Sequence, residues 1–137
     1  MALVLDTGPL LAALDAADPD HERCADLITG APEDLIVPAL VLAELDYWCD
    51  KRLGASVWIE FLDDVLAGAY RVEAPTEADL ERCRELQSTY LDLRLGVTDA
   101  SVIALVERLG ERKVATLDHR RFSTVRPRHV EALELQP

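Results

Sequence analysis

Four carboxylates in this chain stand where the hydrophobic pattern leaves little room for a charge: Asp6, Glu44, Asp99 and Asp118. Asp6 follows directly on the apolar run Ala2-Leu3-Val4-Leu5, and Asp118 follows Val114-Ala115-Thr116-Leu117. Glu44 falls on a helical stripe with Leu40, Val41, Tyr47 and Trp48, whereas Asp46 and Asp50 share another face of the same segment. Asp99 opens the helical pattern that precedes the Val114 run. A core-facing carboxylate needs a partner, because burying it unpaired is costly. Two acids ~5 Å apart at an effective dielectric near 20 repel by roughly 3 kcal/mol, so a cluster must take up protons or a cation. Oxygen donors without a Cys or His pair at ligand spacing select Mg²⁺ or Mn²⁺ over Zn²⁺. An acid pocket of that kind suits phosphoryl chemistry, in which a metal orients water and neutralises the phosphate.

Each acid taken alone has a plainer reading. Asp6, Asp99 and Asp118 can all serve as caps or favourable charges at helix starts. Glu44 is harder to explain that way, since Lys51 and Arg52 are poorly placed to pair with it. The four together favour a site.

The elements that must position them alternate. Short apolar runs at 2–5, 35–37, 70–73 and 114–117 predict strands, with a fifth, edge strand at 131–135. Helical patterns lie between them, opening at Gly8-Pro9 and covering 21–29, 40–53, 56–67, 76–90 and 98–109. Thr76-Glu77-Ala78-Asp79 reads as a capping box. Strands alternating with helices call for an α/β fold with a mostly parallel sheet of four to five strands. Such sheets bind ligands outside the carboxyl ends of their strands, where Asp6 and Asp118 fall.

At 137 residues the chain is expected to be one domain. Cys24, Cys49 and Cys83 are odd in number and widely spaced, as expected of reduced thiols in a cytoplasmic protein. No secretory pattern or membrane-length apolar stretch is visible. The net charge of −12 argues at first against a nucleic-acid partner. Its distribution is lopsided, however. Residues 1–50 carry eleven acids against Arg23 alone, and residues 107–129 carry seven Arg and Lys against three acids. One side can meet phosphate and the other a cation or a basic partner.

Asp6-Thr7-Gly8 also matches the local signature of aspartic proteases, but that chemistry needs a β-rich fold and two aspartates sharing a proton. A dehalogenase-like phosphatase needs a second Asp where Gly8 stands. A different set of motifs carries a resemblance. "LVLDTGPLLAALD", "IVPALVLAEL", "LGVTDASVIALVERLG" and "VATLDHRRF" occur in this order, with the successive acids at spacings of 38, 55 and 19. Together they resemble the PIN-domain ribonucleases, specifically the VapC toxins of bacterial type II toxin–antitoxin modules.

The resemblance implies a three-layer α/β/α sandwich and a Mg²⁺- or Mn²⁺-dependent endoribonuclease acting on RNA. It also implies a homodimer, and a heterotetramer or larger assembly with a VapB-like antitoxin whose C-terminal segment reaches the site. By motif position Asp6, Glu44, Asp99 and Asp118 would bind the metal, with Thr7 and Thr116 as supporting donors. Arg120 stands where some relatives carry a further acid, and Asp92 is a possible substitute. Arg120 and Arg121 are candidate phosphate contacts. His119 reads as an exposed turn residue, and Trp48 and Trp58 as helix packing near an antitoxin groove. The competing reading is an inactive PIN-like binding module whose acids dock a basic partner.

Overall fold

In the computed structural model, which describes residues 1–137, strand β1 (Ala2–Leu5) forms the middle of a five-stranded sheet. Its neighbours are β2 (Asp34–Pro38) and β4 (Lys113–Ala115), with β3 (Arg71–Glu73) and β5 (Glu134–Gln136) outermost. The order is β3-β2-β1-β4-β5, and every neighbouring pair is parallel. All four residues of β1 are buried, so both faces of the sheet centre are covered. The covering helices are α1 (Thr7–Leu14), α2 (His21–Gly30), α3 (Ala39–Arg52), α4 (Ala55–Leu66), α5 (Glu77–Thr89) and α6 (Val97–Leu109). Helices α1 and α2 pack together, α5 packs on α6, and α3 touches α1, α4 and α6.

This is the three-layer α/β/α arrangement the sequence predicts. No helix is long and apolar enough to cross a membrane. The strand order reverses at β1, which has β2 on one side and β4 on the other. A crevice is expected at such a switch point, beyond the strands' carboxyl ends.

Three details differ from the sequence reading. Residues 119–124 form a helix, α7 (His119–Thr124), where only a turn was expected. It is started by the Asp118 side chain, which accepts the Arg121 backbone N–H at 3.1 Å. Strand β4 ends at Ala115 rather than residue 117, and β5 is correspondingly three residues long and begins at Glu134. The buried face of α3 is Val41, Leu45 and Cys49, so Glu44 stands beside the core stripe, half-buried, and Tyr47 is exposed.

Helices α5 and α6 are joined by ion pairs. Thr76 and Asp79 make the reciprocal capping box of α5, with both hydrogen bonds at 3.0 Å. Asp79 is buried and also accepts from Arg108 Nε on α6 at 2.9 Å. Arg82 of α5 forks onto Glu107 of α6 at 2.8 and 3.0 Å. Replacing Asp79 with Ala removes a cap and leaves Arg108 without its carboxylate. Chemical denaturation should show a loss of about 3 kcal/mol. Asp50→Ala, at an exposed position of α3, should change stability by no more than about 0.5 kcal/mol.

Candidate active site

Asp6 leaves β1 into the first turn of α1, and the register of β1 against β4 fixes what it meets. Leu5 pairs with Ala115, and the Asp6 N–H donates to the Ala115 carbonyl at 2.9 Å. The next residue of the neighbouring chain segment, Thr116, is therefore beside Asp6. Its fully buried hydroxyl donates to Asp6 Oδ2 at 2.9 Å and accepts from the Asp118 N–H at 3.0 Å. The other Asp6 oxygen accepts the Thr7 N–H at 2.8 Å. Asp6 thus caps α1 and is locked to β4 at the same time.

Around it an open hollow of ≈ 410 Å³ is lined by Asp6, Thr7, Gly8, Glu44, Asp99, Leu117, Asp118 and Arg121. The acids come from the end of β1, the middle of α3, the first turn of α6 and the β4–α7 turn. All four predicted acids line this one hollow. Thr7 lines it as well, whereas Thr116 lies beneath it as the tie between Asp6 and Asp118.

Asp92 and Arg120 lie elsewhere. They line a second hollow of ≈ 460 Å³ with residues 88–91, Leu93 and Thr124. His119 is exposed and donates from Nε2 to the Thr116 carbonyl at 3.0 Å. Lys51 and Arg52 lie over the rings of Tyr47 and Trp48, which explains why neither neutralises Glu44. Trp58 stacks on Phe61 in the α4 packing.

The electrostatics of the hollow are those of crowded acids. Burial, then the charges of Asp99 and Glu44, push the Asp6 carboxyl up to about 7, against the opposing hydrogen bonds from Thr7 and Thr116. Asp99 is also raised, first by burial and then by Glu44 and Asp118, while Arg121 pulls the other way. Arg121 Nη1 lies 3.4 Å from Asp99 Oδ2 and 3.3 Å from Asp118 Oδ2.

Two lining residues, Gly8 and the expected supporting donor Thr7, carry further signals. A Cβ on Gly8 would approach the Leu117 side chain to 3.3 Å, so the missing side chain lets the start of α1 close on the β4–α7 turn. A glycine in the first turn of a helix was the available hint. The Thr7 hydroxyl is buried with no hydrogen-bond partner, which is uncommon for a polar group in a folded protein.

The donor set suits a hard divalent cation: carboxylates and hydroxyls, with no sulfur or imidazole on the lining. No three acidic, His or Cys side chains are gathered tightly enough to chelate an ion unaided.

Residues 3–126 match the PIN domain model. Ribonuclease VapC26 of Mycobacterium tuberculosis (strain ATCC 25618 / H37Rv) is 35% identical over 125 residues, covering 91% of this chain and 93% of that protein. Among solved structures, the fold matches Mycobacterium tuberculosis VapC20, a sarcin-ricin loop cleaving toxin. The TM-score is 0.76 at 21% identity, over 82% of this chain and 86% of that one. It also matches VapBC2 from Rickettsia felis bound to a promoter DNA fragment, with a TM-score of 0.71 at 16% identity over 99% and 98% of the two chains. The chain belongs to the PIN-domain family. Within that family its place is among the VapC ribonucleases.

A testable consequence follows from Asp6. Its carboxyl binds a proton more tightly in the folded protein than in the unfolded chain, where the ordinary value is near 4. Between those two values the native state holds the extra proton, so metal-free stability falls as pH rises from about 4 to about 7 and then levels off. The upper bound on that loss is ~4 kcal/mol. Asp6→Asn should flatten the profile across this window and leave the metal-free protein the more stable of the two at pH 8. Denaturant melts at closely spaced pH values measure both effects. An Asn variant with the wild-type slope would place the titrating group elsewhere.

Proposed function

We propose that the chain is a divalent-metal-dependent endoribonuclease toxin, neutralised by a VapB-like antitoxin. The carrying observation is the convergence of Asp6, Glu44, Asp99 and Asp118 on one open hollow at the switch point of the sheet. The similarity to Ribonuclease VapC26 supports the activity. The fold likeness to toxin–antitoxin proteins, among them VapBC2, supports the partner. We further propose that the chain acts as a single domain in the cytoplasm, as a homodimer, and forms heterotetramers or larger assemblies with the antitoxin.

In this reading Asp6, Glu44, Asp99 and Asp118 hold Mg²⁺, for which Mn²⁺ can substitute. When bound, the metal orients water and offsets the charge of the scissile phosphate. The chain's own residues set the conditions. Thr116 and the Thr7 N–H fix both oxygens of Asp6, so the carboxyl cannot turn away from the hollow. Asp6 must lose its proton for the site to load, so metal affinity rises with pH up to about 7. The reaction adds water at phosphorus, breaks a P–O bond of the RNA backbone and returns a proton to the leaving oxygen. The acid-rich hollow repels that backbone until it is neutralised, which ties cleavage to the metal. An antitoxin segment carrying Arg or Lys complements the same charge and blocks the same opening.

The mechanism is tested by conservative amide variants. Asp6→Asn, Asp99→Asn and Glu44→Gln keep shape while removing one charge each, and should lower Mn²⁺-dependent cleavage of a structured RNA by ~10²-fold or more. Asp46→Asn, on the exposed face of α3, should leave cleavage within about twofold, as expected for a surface position. Full activity in the Asp6 and Asp99 variants would overturn the mechanism. Sequencing the 5′ ends of RNA fragments after brief induction identifies the substrate.

A further inference from the structure

Arg121 is the only basic residue lining the acid hollow, and its contacts differ from those of the other arginines. Arg82 forks two nitrogens onto Glu107 at 2.8 and 3.0 Å and turns its third to Glu85 at 3.2 Å, and Arg108 brings Nε to Asp79 at 2.9 Å. Arg121 instead sets a single nitrogen between two carboxylates of different elements, at 3.3 and 3.4 Å. Its side chain is 37% exposed, against 15% for Arg82. Its backbone N–H caps on Asp118, so the residue stays anchored at the rim whatever the guanidinium does. This is the geometry of a counterion shared between charges rather than of a structural fork. A partly exposed pair of this length is weak and easily given up.

We propose that Arg121 is an exchangeable counterion of the hollow. In the metal-free protein it spans Asp99 and Asp118, a divalent cation displaces it, and the released guanidinium takes up a phosphate oxygen of the RNA. The inference rests on the metal-dependent reading of the site. The planar fork of Arg matches phosphate bidentately once the carboxylates no longer hold it. One residue would then lower metal affinity in the free protein and raise RNA affinity in the loaded one. A guanidinium that stays paired with the carboxylates would also weaken cation binding through its charge, but it predicts no role in RNA affinity.

The test is calorimetric titration of Mn²⁺ into the full chain at pH 8 without RNA, for wild type, Arg121→Met and Arg121→Lys. Arg121→Met keeps the aliphatic stem and the capping N–H, and should bind Mn²⁺ about three- to tenfold more tightly. Arg121→Lys keeps the charge without the fork and should stay near the wild-type affinity. At saturating Mn²⁺, the KM for a structured RNA should rise in Arg121→Met by about fivefold or more, the loss of one charge-assisted contact. Arg121→Gln serves as a second neutral variant should Met fail to fold. Wild-type Mn²⁺ affinity in a folded neutral variant would overturn the counterion role while leaving the metal reading intact. Tighter Mn²⁺ binding with an unchanged KM would overturn the transfer to phosphate. A wild-type chain that takes up no Mn²⁺ would remove the metal reading and this proposal together.

Discussion

The hydrogen bond from Thr116 to Asp6 is the contact on which the site depends. It joins the ends of two adjacent parallel strands, and it exists only because Leu5 is paired with Ala115. A slip of one residue in that pairing would turn Thr116 to the other face of the sheet and leave the carboxyl of Asp6 against apolar surroundings. The hydroxyl has one proton, given to Asp6, and it receives the Asp118 N–H in return. A single buried side chain therefore sets the orientation of one acid and the start of the turn that carries another. Asp99 and Glu44 then need only approach from α6 and α3.

Capping leaves these acids free for the proposed site role. Asp118 uses Oδ1 to start α7 and presents Oδ2 to Arg121. Asp6 caps the first N–H of α1 through one oxygen and is fixed by Thr116 through the other. A carboxylate has enough acceptor capacity to do both. A cap at a strand end is also an economical way to fix a carboxylate at the switch point of a parallel sheet, since the helix that needs capping begins there.

Much of this was legible in the sequence because the signals were local. Four unbroken apolar residues gave β1, Gly110 ended α6 in a left-handed conformation, and Thr76 with Asp79 gave the capping box of α5. The grouping of Asp6, Asp99 and Asp118 followed from their places at strand ends and a first turn, and that of Glu44 from its place on the helix after β2. What escaped was set by tertiary geometry. Helix α7 is too short to show a period, and its cap is an acid that sequence alone assigns equally well to a turn. The stripe on α3 runs through Val41, Leu45 and Cys49, which sets Glu44 at the rim rather than in the core. The separation of Arg120 from Arg121, one facing each hollow, is a rotation of one residue on that same short helix.

The contrast between the α5–α6 contact and the hollow explains why the hollow reads as functional. Between α5 and α6, acids meet arginines at close range: Arg108 reaches Asp79, and Glu107, raised by burial, is lowered overall by its bonds with Arg82 and Arg128. The fold therefore has the means to neutralise buried carboxylates with its own side chains. In the hollow it leaves the Asp6 carboxyl raised to about 7, the Thr7 hydroxyl without a partner, and Asp99 and Asp118 sharing one loosely held guanidinium. Unrelieved charge of this kind lowers the stability of the free protein and is tolerated where a ligand relieves it. In the proposed reading, a divalent cation would supply two positive charges where the chain itself supplies part of one. The deficit in the free protein would then favour loading of the site.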